Sequence, residues 1–82
     1  MYFTYILYSQ KINKYYTGQT NDLNRRIHEH NLGKTCFMKR GMPWQLVYSQ
    51  TQQTRSEAMN LEIKIKKRGV ARFLKDNNSK TD

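Results

Sequence analysis

One cysteine, Cys36, and one proline, Pro43, are all this sequence holds of the two residues that staple and stiffen small folds. A lone thiol closes no internal disulfide and builds no cysteine-based zinc site within one chain, so the fold must hold by packing alone. Acidic side chains are also scarce: six Asp and Glu stand against fifteen Lys and Arg, a formal charge of +9. An excess of that size on 82 residues attracts polyanions and releases counterions on binding them. Nucleic acid, DNA or RNA, is the expected partner. An anionic membrane is the weaker reading, because no long amphipathic basic helix flanks an anchor. Long apolar runs are missing, which excludes a bilayer-spanning helix. Met1-Tyr2-Phe3 lacks the basic start and extended apolar region of a secretory signal, so a cytoplasmic, reducing location is expected.

What is present suffices for one small domain over residues 1–82, with 77–82 read as a frayed tail. Six tyrosines, three phenylalanines and Trp44 supply the bulk of a modest core, and a monomer is the default. Tyr2 to Tyr8 is a β-branched and aromatic run, Lys14 to Thr17 is a second, and SQKIN between them reads as a turn, which makes a hairpin. Trp44 to Gln50 predicts a third strand. Asn21 and Asp22 are N-cap residues, and the helix they open runs to Asn31 and stops at Gly33. Residues 33–43 carry two glycines and Pro43 and read as a loop whose cations Lys34, Lys39 and Arg40 either contact phosphates or simply face solvent. Thr54-Arg55-Ser56-Glu57 has the form of a capping box, so a helix is expected from Arg55 to Lys67, ended by Gly69. A short final helix over Val70 to Lys75 follows, with Phe73 and Leu74 packing back. The expected fold is therefore α+β, a three-stranded antiparallel sheet flanked by helices.

Two helices carry charge where apolar residues belong. At roughly 100° per residue, Leu23, Arg26, Ile27 and His30 share one arc of the first helix, while Arg25, His28 and Glu29 point elsewhere. Charge on a core-facing stripe is costly unless it is paired or lines a cleft. Arg26 could snorkel along the edge of the core and His30 could be a bonded core histidine; both could equally face a site beside Tyr5 and Tyr16. On the later helix Ala58, Leu61 and Ile65 form an inner stripe, widened by Met59 and Ile63, and Glu62 falls inside it. Lys66, four residues on, offers that carboxylate an ordinary intrahelical pair. Lys64, Lys66, Lys67, Arg68, Arg72 and Lys75 make the C-terminal part strongly cationic.

The segment FTYILYSQKINKYYTGQTNDLNRRIHEHNLG resembles the catalytic core of the GIY-YIG nucleases, above all their small stand-alone bacterial members. Phe3-Thr4-Tyr5 stands for the first motif and Tyr16-Thr17-Gly18 for the second, followed by Arg26 and, one turn on, His30. Phe3 and Thr4 depart from the family's name, but the tyrosine is kept. The resemblance continues through GKTCFMKRGMPWQLVYS and RSEAMNLEIKIKKRG. It implies a metal-dependent endonuclease that hydrolyses DNA phosphodiesters, single-stranded or branched DNA included, in one displacement leaving 5′-phosphate and 3′-hydroxyl ends. It makes Glu62 the protein ligand of one Mg²⁺ or Mn²⁺, Arg26 the neutraliser of a non-bridging oxygen, and a tyrosine the group that deprotonates or orients water, with Tyr5 taken as base and Tyr16 as water-positioning. Gly18 is the motif glycine. Lys34, Lys39, Arg40, Lys66, Lys67 and Arg68 are the expected nucleic-acid contacts. The alternatives are a basic nucleic-acid-binding module on the same fold that no longer cuts, and an interaction protein whose charge is incidental.

Overall fold

The computed structural model describes residues 1–79. Strand β1 (Tyr2–Ser9) is central, with β2 (Lys14–Thr20) on one side and β3 (Gln45–Gln52) on the other, both antiparallel to it. The β1–β2 hairpin turns where SQKIN predicts, and Asn13 takes the left-handed conformation (φ 53°), which its short amide side chain tolerates. Tyr5 pairs with Gly18 and Leu7 with Tyr16 in this ladder. A bulge between Ile6 and Leu7 shifts the β3 register, leaving Val47 without a partner in the ladder.

Helix α1 (Leu23–His30) opens on Asp22, whose side chain accepts from the Arg25 amide. Helix α3 (Arg55–Arg68) opens on the complete capping box of Thr54 and Glu57 and ends at Gly69, as the sequence predicts. Between them the expected loop over 33–43 contains a short helix, α2 (Cys36–Gly41). Its signal was a cap rather than a hydrophobic period: Thr35 Oγ1 accepts from the Met38 amide, satisfying a donor that a six-residue helix would otherwise expose. The last helix, α4 (Val70–Ser79), is longer than the expected Val70 to Lys75 and takes in residues read as frayed tail; Asp76, in that extension, accepts both bonds of the Arg68 guanidinium. The remainder of that tail, 80–82, lies outside the described residues.

Both faces of β1 are covered, which is why Thr4, Tyr5, Ile6 and Leu7 are all buried. Successive side chains on a strand alternate faces. Tyr5 and Leu7 point into a core with Met38 and Trp44, joined by Ile12, Tyr16, Leu23, Ile27 and Met42. Thr4 points the other way and donates to the Ala58 carbonyl of α3 at 3.0 Å. Helix α3 packs through Ala58 and Ile65 with Leu61 half-buried, but Met59 and Ile63 are exposed. Reading them into the core was wrong, because a three-stranded sheet covers one narrow stripe of a helix. Trp44, expected to begin β3, precedes the strand and is buried instead.

Candidate active site

The helical arc that carries Arg26 and His30 faces the sheet, and the side chains meet the strand tyrosines there. Arg26 Nε donates to the Tyr5 hydroxyl oxygen at 3.4 Å, and that oxygen lies 3.0 Å from His30 Nε2. The other imidazole nitrogen, Nδ1, lies 2.9 Å from Met38 Sδ. A thioether only accepts, which assigns the imidazole proton to Nδ1 and leaves Nε2 to accept from the Tyr5 hydroxyl. Tyr16 completes the group with its ring centroid 4.7 Å from that of His30.

This arrangement sets the ionisation of its members. Burial pushes the Tyr5 phenol up to about 12, against the opposing pull of its bond from Arg26. His30 is held below the usual histidine value, first by burial and then by the Arg26 charge, with Glu29 opposing. It is neutral at physiological pH, in agreement with the bonding of both nitrogens. The bond to Tyr5 holds the Arg26 guanidinium even more firmly protonated than usual. Tyr5 is wholly buried, with its proton committed to His30 and its oxygen to Arg26. Expecting Tyr5 to be the base therefore conflicts with its surroundings. Tyr16 is half-buried and lines an open cleft of about 420 Å³, so its ring meets solvent where Tyr5 does not.

The cleft is lined by Tyr16 from β2, by Arg26, Glu29 and His30 from α1, by Lys34, and by Thr35, Phe37 and Met38 around the start of α2. Glu29, which the helical projection turned away, is half-buried here, and its Oε1 lies 3.5 Å from Arg26 Nη1. Its signal was the i,i+3 spacing to Arg26, which places two residues on neighbouring rows of a helix. Met38 was missed because it sits in a segment read as loop.

Gly18 lies directly beneath Tyr5. A Cβ there would come within 2.7 Å of the Tyr5 oxygen and 3.0 Å of its Cζ. The motif glycine is therefore a space requirement of the tyrosine on the neighbouring strand. Alanine is intrinsically better than glycine in a strand, yet Gly18→Ala is expected to cost about 1–3 kcal/mol in urea unfolding, because the rigid Tyr5 ring must move. An unchanged midpoint would show that the ring gives way freely.

The remaining predicted residues do not join the cleft. Lys39 and Arg40 are exposed on α2, and Lys66, Lys67 and Arg68 are exposed on α3. Arg68 is held by Asp76 at 2.9 Å and borders a separate cleft with Tyr48 and Phe73. Lys66 Nζ is 2.7 Å from Glu62 Oε2, the intrahelical pair anticipated above. The Glu62 side chain is 22% exposed, and its charge is near enough to help raise the Tyr5 phenol. Among the described residues no three His, Cys, Asp or Glu gather to hold a metal. A divalent ion would have to take most of its ligands from water and substrate, as Mg²⁺ does, and one half-buried carboxylate near the tyrosine and arginine group fits that requirement.

The pattern of the GIY-YIG catalytic domain matches residues 1–75. The UPF0213 protein YazA of Bacillus subtilis is 40% identical over 58 residues, which cover 70% of this chain and 59% of that protein. The UPF0213 protein HQ_3675A of Haloquadratum walsbyi is 46% identical over 52 residues, covering 62% of this chain and 58% of its own length. The match thus spans about three fifths of these curated relatives. The solution NMR structure of the UPF0213 protein BH0048 from Bacillus halodurans aligns with a TM-score of 0.55 at 32% identity, covering 100% of this chain and 86% of that one.

Proposed function

We propose that this chain, which belongs to the GIY-YIG catalytic domain family over residues 1–75, is an endonuclease that hydrolyses nucleic-acid phosphodiesters with the help of one Mg²⁺ or Mn²⁺. The observation that carries this reading is the convergence of Tyr16, Arg26 and His30 on one open cleft, with Tyr5 buried behind them and bonded to both Arg26 and His30. A nucleic-acid binder needs cations, but it has no need for an arginine fixed by a tyrosine that is itself fixed by a neutral histidine.

Hydrolysis requires a placed water, charge neutralisation on the phosphoryl oxygens and support for the departing 3′ oxygen. Arg26 supplies fixed positive charge at the cleft, and its donation to Tyr5 limits the side-chain freedom that would otherwise be lost on meeting phosphate. Tyr5 thus acts as a positioning residue, holding the arginine while His30 holds it. Tyr16, facing solvent in the same cleft, is the phenol able to orient the attacking water. Glu62 would hold the metal, whose contribution when bound is Lewis-acid stabilisation of the charge that develops on phosphate. Glu29 competes with phosphate for Arg26 at 3.5 Å, so substrate must displace a weak, partly exposed ion pair.

The test is cleavage of end-labelled single-stranded, duplex and flap DNA, with matched RNA, in Mg²⁺ or Mn²⁺ and again in EDTA. Product is expected only with metal. Saturable, salt-sensitive binding without product under either metal would replace this reading with the non-cutting module.

A further inference from the structure

A feature of the cleft that phosphate chemistry leaves unused is its aromatic wall. Phe37 is 37% exposed although it stands in a short helix whose neighbours Met38 and Gly41 are buried. Its ring packs on Trp44, with centroids 5.5 Å apart and planes at 41°, and the exposed remainder lines the same cleft as Arg26 and Lys34. Trp44 is fixed from three directions. Its indole Nε1 donates to the Met38 carbonyl at 2.9 Å, its amide donates to Asn31 Oδ1 at 2.7 Å, and its carbonyl accepts from Asn31 Nδ2 at 3.2 Å. Gly41 lies against the indole so closely that any Cβ there would run into the ring. Phe37 is therefore held on a rigid support and left partly in water, beside cations.

Resting on the nuclease reading of this cleft, we infer that Phe37 is a base-stacking platform, and that the substrate is a strand whose nucleotide next to the scissile phosphate is unpaired. A π face accepts any base, so the contact is sequence-tolerant. A base inside a duplex has both faces occupied by its neighbours and reaches such a platform only if it is flipped out. The cleft volume of about 420 Å³ is of small-molecule size, suited to one nucleotide rather than a duplex. Arg26 and Lys34 supply the charge complementary to the flanking phosphates. Phe37 thereby selects single strands, loops and flaps over paired DNA or RNA.

The experiment is titration of the full chain, in EDTA so that nothing is cut, into oligonucleotides carrying the fluorescent adenine analogue 2-aminopurine, as single strand and as duplex, in DNA and in RNA. Stacking quenches the analogue. Phe37→Leu is expected to weaken single-strand binding by about tenfold and to abolish quenching, while duplex affinity changes by less than about twofold. Phe37→Trp is expected to retain both. An abasic-site scan on the wild-type chain needs no substitution and should find one position that loses about tenfold. The inference is overturned if Phe37→Leu and wild type match in affinity and quenching, if no abasic position matters, or if the wild-type chain binds no single strand. Phe37-dependent quenching by a chain that cuts nothing under Mg²⁺ or Mn²⁺ would uphold the platform and refute the nuclease.

Discussion

Glu62→Ala is expected to lower cleavage by at least about 10³-fold while leaving nucleic-acid affinity in EDTA within about twofold. A metal-stabilised transition state draws several kcal/mol from its ion, and each 1.36 kcal/mol is about a factor of ten in rate. Glu62 is the carboxylate whose placement fits that ion: it is half-buried on α3 and its charge is felt at Tyr5. Glu62→Gln should be as inactive, since it keeps the size and removes the charge. Stability discriminates between chemistry and folding here. The pair with Lys66 joins two partly exposed side chains on one helix and contributes only a few tenths of a kcal/mol, so the melting temperature should fall by no more than about 4 °C. A Glu62→Gln chain that cuts within threefold of wild type would place the metal elsewhere.

The second large effect concerns Arg26. Its alanine variant is expected to lose about 10²–10³ in kcat, the usual cost of removing one fixed donor from developing negative charge. Arg26→Lys should recover only part of the loss. Lysine keeps the charge but lacks the planar fork that allows the Arg26 Nε to bond Tyr5 while its terminal nitrogens turn to phosphate in exchange for the weak Glu29 pair. The split between constants is diagnostic: a neutraliser of the transition state lowers kcat and kcat/KM together, whereas a simple phosphate contact raises KM alone. An effect confined to KM would reduce Arg26 to one more cation of a basic surface. The Tyr5 contact makes the first outcome the expected one, because it positions the guanidinium before substrate arrives.

These effects depend on features that differ in how far they could be read from the chain. The caps were legible: Asp22, Thr54 and Glu57 bond their own backbone neighbours, an interaction spanning three residues. The hairpin and third strand were legible from β-branched and aromatic runs, and the sheet carries them as expected. Helix α2 was not, since six residues offer no period and the two glycines and the proline of residues 33–43 suggest a loop. The arc of Leu23, Arg26, Ile27 and His30 was visible as an anomaly, a charge on an apolar face, and the anomaly proved to be the wall of the cleft. The same projection failed for Glu29, Met59 and Ile63, because periodicity gives the direction of a side chain but not the width of the surface that receives it.

The sequence by itself determined the chemistry available to this protein: a strong cationic excess, tyrosines on two strands, an arginine and a histidine on one helical face, and a carboxylate on another. Those are properties of residue type and spacing, and spacing along a regular helix or strand sets direction within a few residues. Only the tertiary structure decided what each group meets. Tyr5 is separated from Arg26 by 21 residues and from His30 by 25, yet their bonds, together with burial, hold it as a protonated phenol behind the cleft, the placement on which its proposed positioning role rests. Phe37 and Trp44 likewise meet, with centroids 5.5 Å apart, only once α2 has formed. Burial, desolvation and contact across the chain depend on what packs opposite, and no local pattern specifies that.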